Sequence, residues 1–211
     1  MKTIALIGGT GGLGLGLAAR LAGGHRVIIG SRDASRAVEA AAKVSELSGS
    51  RVEGEENGEA ARHSDVSILT LPNLSSDELL LSLKTDLAGK LVVSAIVPME
   101  LRQGVFVPTL GSGSAAERVA AVLETRVAAA FHTLSAPRLI AVKRKLDCDV
   151  LVTAETREIY GEAAEIVSSV PGLRPLYAGQ LRNSRMLEEL TPLLLNTGRL
   201  NRIFSPSIKI V

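Results

Sequence analysis

Cysteine occurs once in these 211 residues, tryptophan not at all, and aromatic residues make up only 2% of the chain. A single cysteine excludes any intrachain disulfide and any CxxC metal or redox motif. Cys148 lies between Asp147 and Asp149, whose charges would raise a thiol pKa, so it reads as structural and not as a reactive thiolate. The scarcity of aromatics removes the stacking platforms that single-stranded nucleic acids require. A formal charge of +2, with no Lys/Arg run gathered on one face, gives no electrostatic footprint for nucleic acid either. No stretch of 18 apolar residues exists, so no helical membrane span is expected. Six glycines between Gly8 and Gly16 break what would otherwise resemble a secretory signal helix, and the expected compartment is the cytoplasm. HExxH, G-x-S-x-G, a P-loop lysine and Cys/His metal spacing are all missing. The remaining composition, 46% hydrophobic and 22% charged, is that of an ordinary globular protein, long enough for one large domain or one domain with a small appendage.

What is present is a series of short apolar runs alternating with helical stretches. Thr3–Ile7, Val27–Ile29, Val66–Leu71, Leu91–Ala95 and Val127–Phe131 are apolar on both faces, as strands buried on both sides of a parallel sheet must be. Helices are predicted at 13–23, 34–48, 56–63, 75–86 and 114–124. The order β-α-β-α-α-β-α-β-α-β predicts a doubly wound α/β sheet with right-handed crossovers. From about residue 145 the pattern changes to a small α+β region. It has a strand at Val150–Thr153, a helix at 156–169, a strand at Leu173–Tyr177 and a long helix from about 182 to 202 that contains Pro192. Pro192 should kink that helix by removing one backbone bond and crowding the carbonyl of Glu188.

The strongest local signal follows the first strand. Gly9, Gly11 and Gly14 form G-x-G-x-x-G within Gly8-Gly-Thr-Gly-Gly-Leu-Gly14. In that pattern Gly9 permits the tight turn, Gly11 lets the backbone approach a pyrophosphate, and Gly14 allows close packing of helix on strand. The exposed amides and positive end of the 13–23 helix then attract phosphate, with Gly12 in the loop before it and Leu13 at its start. Thr10 can hydrogen-bond a ligand or simply serve the turn. Strand, glycines, helix and second strand fall within about 30 residues, as a βαβ dinucleotide-binding (Rossmann) unit requires.

The second strand ends Ile29-Gly-Ser-Arg32 with no carboxylate at Gly30 or Ser31. A carboxylate there would repel the extra phosphate of NADP, whereas Ser31 can donate to it and Arg32 and Arg36 can bind it with charged forks. The alternative is that Ser31 or Asp33 caps the next helix and both arginines are solvated. NADP is favoured over NAD, although Asp33 puts an acid near the pocket. Ligands of open α/β sheets lie beyond the carboxyl ends of strands, which makes Leu71-Pro72, Val97-Pro98 and His132-Thr-Leu134 further candidates. His132 can contact a ligand beside the nicotinamide or be a satisfied structural histidine. Gly111-Ser-Gly-Ser114 reads as a turn and helix cap, and Asn183-Ser184 as a cap of the last helix.

Taken together, several segments resemble the F420-dependent NADP reductase family. They are Ile7–Gly14, Gly30–Arg32, Leu69–Pro72, Val92–Ser94 with Val97-Pro98, His132-Thr133 and Gly172–Pro175. A more specific set closes the chain, namely Asn183–Arg185 followed by Glu188, Leu190–Leu193 and Asn196. The resemblance implies hydride transfer between NADPH and the deazaflavin coenzyme F420, with no protein nucleophile. It implies that residues 1–145 form the NADP-binding domain and residues 146–211 complete the deazaflavin pocket. It also implies that Thr10, Ser31 and Arg32 contact NADP, that His132 and Leu134 lie near deazaflavin and nicotinamide, and that Thr191 is a polar group beside the hydride path. The expected partners are small-molecule redox carriers, and a homodimer is expected because the small C-terminal region could complete its pocket against a second chain. Two other readings stay open: a dehydrogenase or imine reductase acting on a small substrate, and a non-catalytic NADP sensor.

Overall fold

The computed structural model describes residues 1–74, 77–109 and 111–211. Its framework is an eight-stranded sheet built from β1 (Thr3–Ile7), β2 (Arg26–Ser31), β3 (Val52–Glu56), β4 (Val66–Leu69), β5 (Leu91–Ser94), β8 (Arg126–Ala129), β9 (Cys148–Ala154) and β10 (Leu173–Tyr177). The order across the sheet is β10-β9-β8-β5-β4-β1-β2-β3. Every neighbouring pair is parallel except β8 with β9, which run antiparallel through Ala128↔Ala154 and Ala129↔Thr153. The strands of the C-terminal region thus extend the same sheet.

Alternation along β1 explains why its strands read as apolar on both faces. Ile4 and Leu6 face a core shared with α1 (Gly12–Leu21), α2 (Ala34–Ser48) and α7 (Arg157–Ser168), while Ala5 and Ile7 face a second core under α3 (Asn57–His63), α4 (Glu78–Leu83) and α5 (Ala115–Leu123). Helices cover both faces, as a parallel sheet requires. The predicted 75–86 helix is shorter, Glu78–Leu83, and positions 75 and 76 lie outside the described residues.

Four elements, two of them paired in a hairpin, depart from the sequence expectation. β3 was absent from the predicted order, because Val-Glu-Gly-Glu-Glu contains one apolar side chain and no buried run. It is an edge strand, where charge guards against edge pairing. Gly54 lets α2 press onto it, since a Cβ there would stand 2.3 Å from the Ala37 carbonyl carbon. The second addition is an antiparallel hairpin, β6 (Met99–Arg102) with β7 (Val105–Pro108), turned at Gln103 and Gly104, both with positive φ. The third is α6 (Ala136–Ile140), a single short helix opened by Pro137. The chain ends in α8 (Ser184–Leu200), which runs continuously through Pro192.

Candidate functional site

The sheet order reverses between β1 and β4, and a cavity of about 970 Å³ lies beyond the carboxyl ends of the strands there. The chain segments leaving adjacent strands stay hydrogen-bonded as they fan out: Gly9 N–H to the Gly30 carbonyl (2.9 Å), Thr70 to Ile7 (3.0 Å), Ala95 to Leu69 (3.0 Å) and Ala130 to Ser94 (3.0 Å). These bonds set the residues after β1, β4, β5 and β8 side by side along the cavity.

The glycine-rich loop forms one wall, and the structure reassigns one of its roles. The left-handed turn residue is Gly8 (φ +70°), not Gly9. Gly9 is instead a position of close approach, because a Cβ there would meet the Leu6 carbonyl oxygen at 2.6 Å. Gly14 packs on Gly9 itself, with a hypothetical Cβ 2.5 Å from the Gly9 Cα. Gly11 has nothing within 4 Å of that position and supplies no capping side chain, so the first amides of α1 open onto the cavity. That is the cradle a pyrophosphate requires. Gly12 sits under α6, where a Cβ would be 3.3 Å from the Ala136 Cβ. Asn57, buried at the start of α3, accepts from the Gly8 N–H through Oδ1 (3.1 Å) and so clamps the loop from behind. Sequence reasoning missed Asn57, since nothing marks an asparagine after an acidic strand as a loop clamp.

At the end of β2 the acid that troubled the NADP reading is occupied. Asp33 caps α2, accepting from Ser35 N–H (2.9 Å), Ser35 Oγ (2.6 Å) and Arg36 N–H (3.3 Å), and these bonds hold its carboxyl below the usual range. Ser31 Oγ accepts from the Asp33 N–H (3.2 Å), so its own proton stays available to a ligand. Arg32 and Arg36 are exposed and, among the described residues, in no ion pair. Ser31, Arg32 and Arg36 stand beside the glycine loop through the Gly9–Gly30 bond but do not line the cavity itself. Thr10, Leu13, Leu71, Pro72, Val97, His132, Leu134 and Thr191 do line it.

The opposite wall is made by the turn after β8 and by α8. Phe131 is buried with φ +71°, a costly conformation for a bulky residue, and reverses the chain so that His132 enters the cavity wall. Neither ring nitrogen of His132 has a protein partner, and burial pulls the imidazole down to about 4. It is therefore neutral near pH 7, with one donor and one acceptor unspent inside a largely apolar cavity. Such a pair is open to a ligand or a water, unlike that of a core histidine whose nitrogens are bonded within the protein. Thr191 Oγ1 donates to the His132 carbonyl (2.9 Å), tying α8 to this turn.

Two further contacts hold α8. Glu188, almost wholly buried, accepts from the amides of Ala115 and Ala116 at the start of α5 (2.9 and 3.1 Å). Burial nevertheless pushes its carboxyl up to about 7, against the pull of those two amides. Asn196 clasps the hairpin by exchanging two bonds with the Phe106 backbone (2.9 and 2.8 Å). The expected capping by Asn183 and Ser184 is not found. Asn183 reaches back to the Ala178 carbonyl, and Ser184 is buried against Thr153 (2.6 Å), because a 3₁₀ turn at Leu181–Asn183 runs directly into α8. Ser114 does cap α5, with Glu117 completing a capping box. Cys148 is buried.

Comparison with known proteins adds independent findings. The family model described as "NADP oxidoreductase coenzyme F420-dependent" matches residues 3–98. The F420-dependent NADP reductase of Methanothermobacter marburgensis is 44% identical, over 98% of this chain and 97% of its own. A crystal structure from Arthrobacter sp. FB24, provisionally named an F420-dependent NADP-reductase, superposes with a TM-score of 0.83 at 22% identity, covering all of both chains. The imine reductase of Myxococcus stipitatus in complex with NADP+ gives a TM-score of 0.63 at 18% identity, and this chain spans 63% of it. These last two likenesses speak to the fold alone.

Proposed function

Because the chain belongs to the F420-dependent NADP reductase family, we propose that it transfers hydride between NADPH and coenzyme F420, with the residues along the cavity described above arranging the two carriers. When bound, the carriers supply all the redox chemistry, a hydride passing between C4 of the nicotinamide and C5 of the deazaflavin. The protein's task is orientation and exclusion of water. In this reading the open backbone at Gly11–Leu13 receives the pyrophosphate, and Ser31, Arg32 and Arg36 receive the phosphate that distinguishes NADP. Leu71, Pro72, Val97 and Leu134 supply apolar walls for the stacked rings. His132 offers its unspent nitrogens to a ring substituent, and Thr191 fixes the turn that presents it.

The observation that carries the reading is the pairing of an unpartnered, buried, neutral His132 with the open glycine loop across one apolar cavity. A homodimer and a cytoplasmic setting belong to the same proposal; no described helix is long and apolar enough to cross a membrane. The test mixes purified protein with NADPH and oxidised F420 and follows loss of the deazaflavin absorbance. Fast bleaching that excess NADP+ reverses and that NADH barely supports is the expected result. Tight NADPH binding without bleaching would sink the proposal and leave the dehydrogenase or sensor readings.

A further inference from the structure

Apart from Arg32 and Arg36, which stand outside it, the cavity carries a concentration of positive charge of its own. Among the described residues lining it, the only charged side chains are Arg199, in the last turn of α8, and Arg202, just past its end; no Asp or Glu lines it. Neither arginine forms an ion pair among the described residues. Both are held in defined places. The Arg199 guanidinium lies 5.7 Å from the Phe106 ring centroid, on the hairpin that Asn196 clasps. Arg202 adopts φ +55°, inside a turn closed by the Ile203 N–H on the Gly198 carbonyl (2.8 Å). That turn folds tightly onto the helix, since a Cβ on Gly198 would stand 2.9 Å from the Ile203 carbonyl oxygen and 3.0 Å from Pro206. Two cations at the rim of a largely apolar cavity, with no local counter-charge, suit an anionic ligand group.

That group is not needed by NADP. Its pyrophosphate is accounted for at the start of α1 and its third phosphate at the end of β2, so both of its anionic parts have receptors elsewhere. We infer that Arg199 and Arg202 form an anion-reading rim for the second carrier, engaging ionised phosphate or carboxylate groups on the side chain of the deazaflavin while its ring system lies in the cavity. This rests on the carrier reading above. It makes the end of α8 a specificity element that favours a deazaflavin with an anionic side chain over the bare, uncharged ring system.

The test compares wild type with Arg199→Gln, Arg202→Gln and the double variant, using intact F420 and uncharged 5-deazariboflavin at saturating NADPH. The double variant should raise KM for intact F420 by roughly tenfold or more, the scale of one or two charge-assisted bonds, and in a salt-dependent way. KM for 5-deazariboflavin and Kd for NADPH should stay within about twofold, the NADPH value also reporting an intact fold. Equal losses on both deazaflavins, a loss centred on NADPH, or no change would overturn the inference; the second result would assign the arginines to NADP. Should wild type reduce neither deazaflavin, the carrier reading fails separately, and calorimetry of tripolyphosphate binding to NADP-saturated protein judges the rim alone. Binding lost in the double variant keeps an anion site there, whereas absent or unchanged binding removes it.

Discussion

One wall of the cavity is made of backbone and the other of side chains. At the glycine loop the decisive features are missing Cβ atoms: Gly9 against Leu6, Gly14 against Gly9, Gly11 open to the cavity. Across from it, the His132 turn and α8 depend on specific polar contacts made by Thr191, Glu188 and Asn196 to residues as far as 90 positions away. A backbone wall tolerates almost no added atom but asks little of side-chain chemistry. A side-chain wall accepts changes of size yet fails when a donor or acceptor is lost.

The largest effect is expected from breaking the backbone wall. Gly14→Val places branched carbons where backbone already stands, and should cost at least about 3 kcal/mol of stability and abolish NADPH binding. Denaturant unfolding and NADPH fluorescence read the two losses. Next comes the joint between the walls. Arg20 of α1 donates to five carbonyls around the end of α6, those of Arg138, Leu139, Ala141, Val142 and Arg144, at 2.8 to 3.1 Å. Arg20→Ala leaves several of these acceptors unpaired and should cost about 2–4 kcal/mol. A midpoint within error of wild type would show that water replaces the guanidinium at no cost.

Smaller and more selective is Arg32→Ala, which should weaken NADPH roughly ten- to a hundredfold while leaving NADH nearly unchanged. An unaltered preference between the two would remove Arg32 from the phosphate site.

The gentlest change is one of slope with pH, and it lies wholly in the side-chain wall. His132 has its pKa lowered to about 4, so the unfolded chain takes up a proton below about pH 6.5 that the folded protein refuses. Its contribution is complete above that pH and is lost as pH falls toward 4. Glu188 has its pKa raised to about 7, so the unfolded chain releases a proton above about pH 4.5 that the folded protein keeps. Its contribution is complete below pH 4.5 and is lost as pH rises toward 7. The two slopes oppose each other between about pH 4.5 and 6.5. His132→Asn should therefore leave a stability that declines with rising pH across this window, and Glu188→Gln one that increases. Unfolding midpoints measured from pH 4 to 8 separate them, and parallel profiles would mean that neither group titrates as described.

How much of this was legible differs along the same division. Gly9, Gly11 and Gly14 were recognisable because glycine spacing encodes backbone geometry directly, and the lack of a carboxylate at Gly30 and Ser31 could be read in place. Strands β1, β4, β5 and β8 announced themselves by being apolar on both faces. β3 did not, because an edge strand owes nothing to apolar content, and the β6–β7 hairpin and α6 were too short to establish a period. His132 could be placed after a strand, but its two unpartnered nitrogens could not.

The sequence by itself determined the doubly wound order of apolar strands, the glycine-rich turn after the first of them and, through motifs spread along nearly the whole chain, the family. Those properties follow from local spacing and from which residue types can occupy it. Only the tertiary structure decided that Gly8 makes the left-handed turn, that Asn57 clamps it, that Asp33 is spent on capping, and that Glu188 and Thr191 fix the far wall. Each of these depends on which atoms meet across the fold, and hydrogen-bond distance is a property of three dimensions that no spacing along the chain specifies.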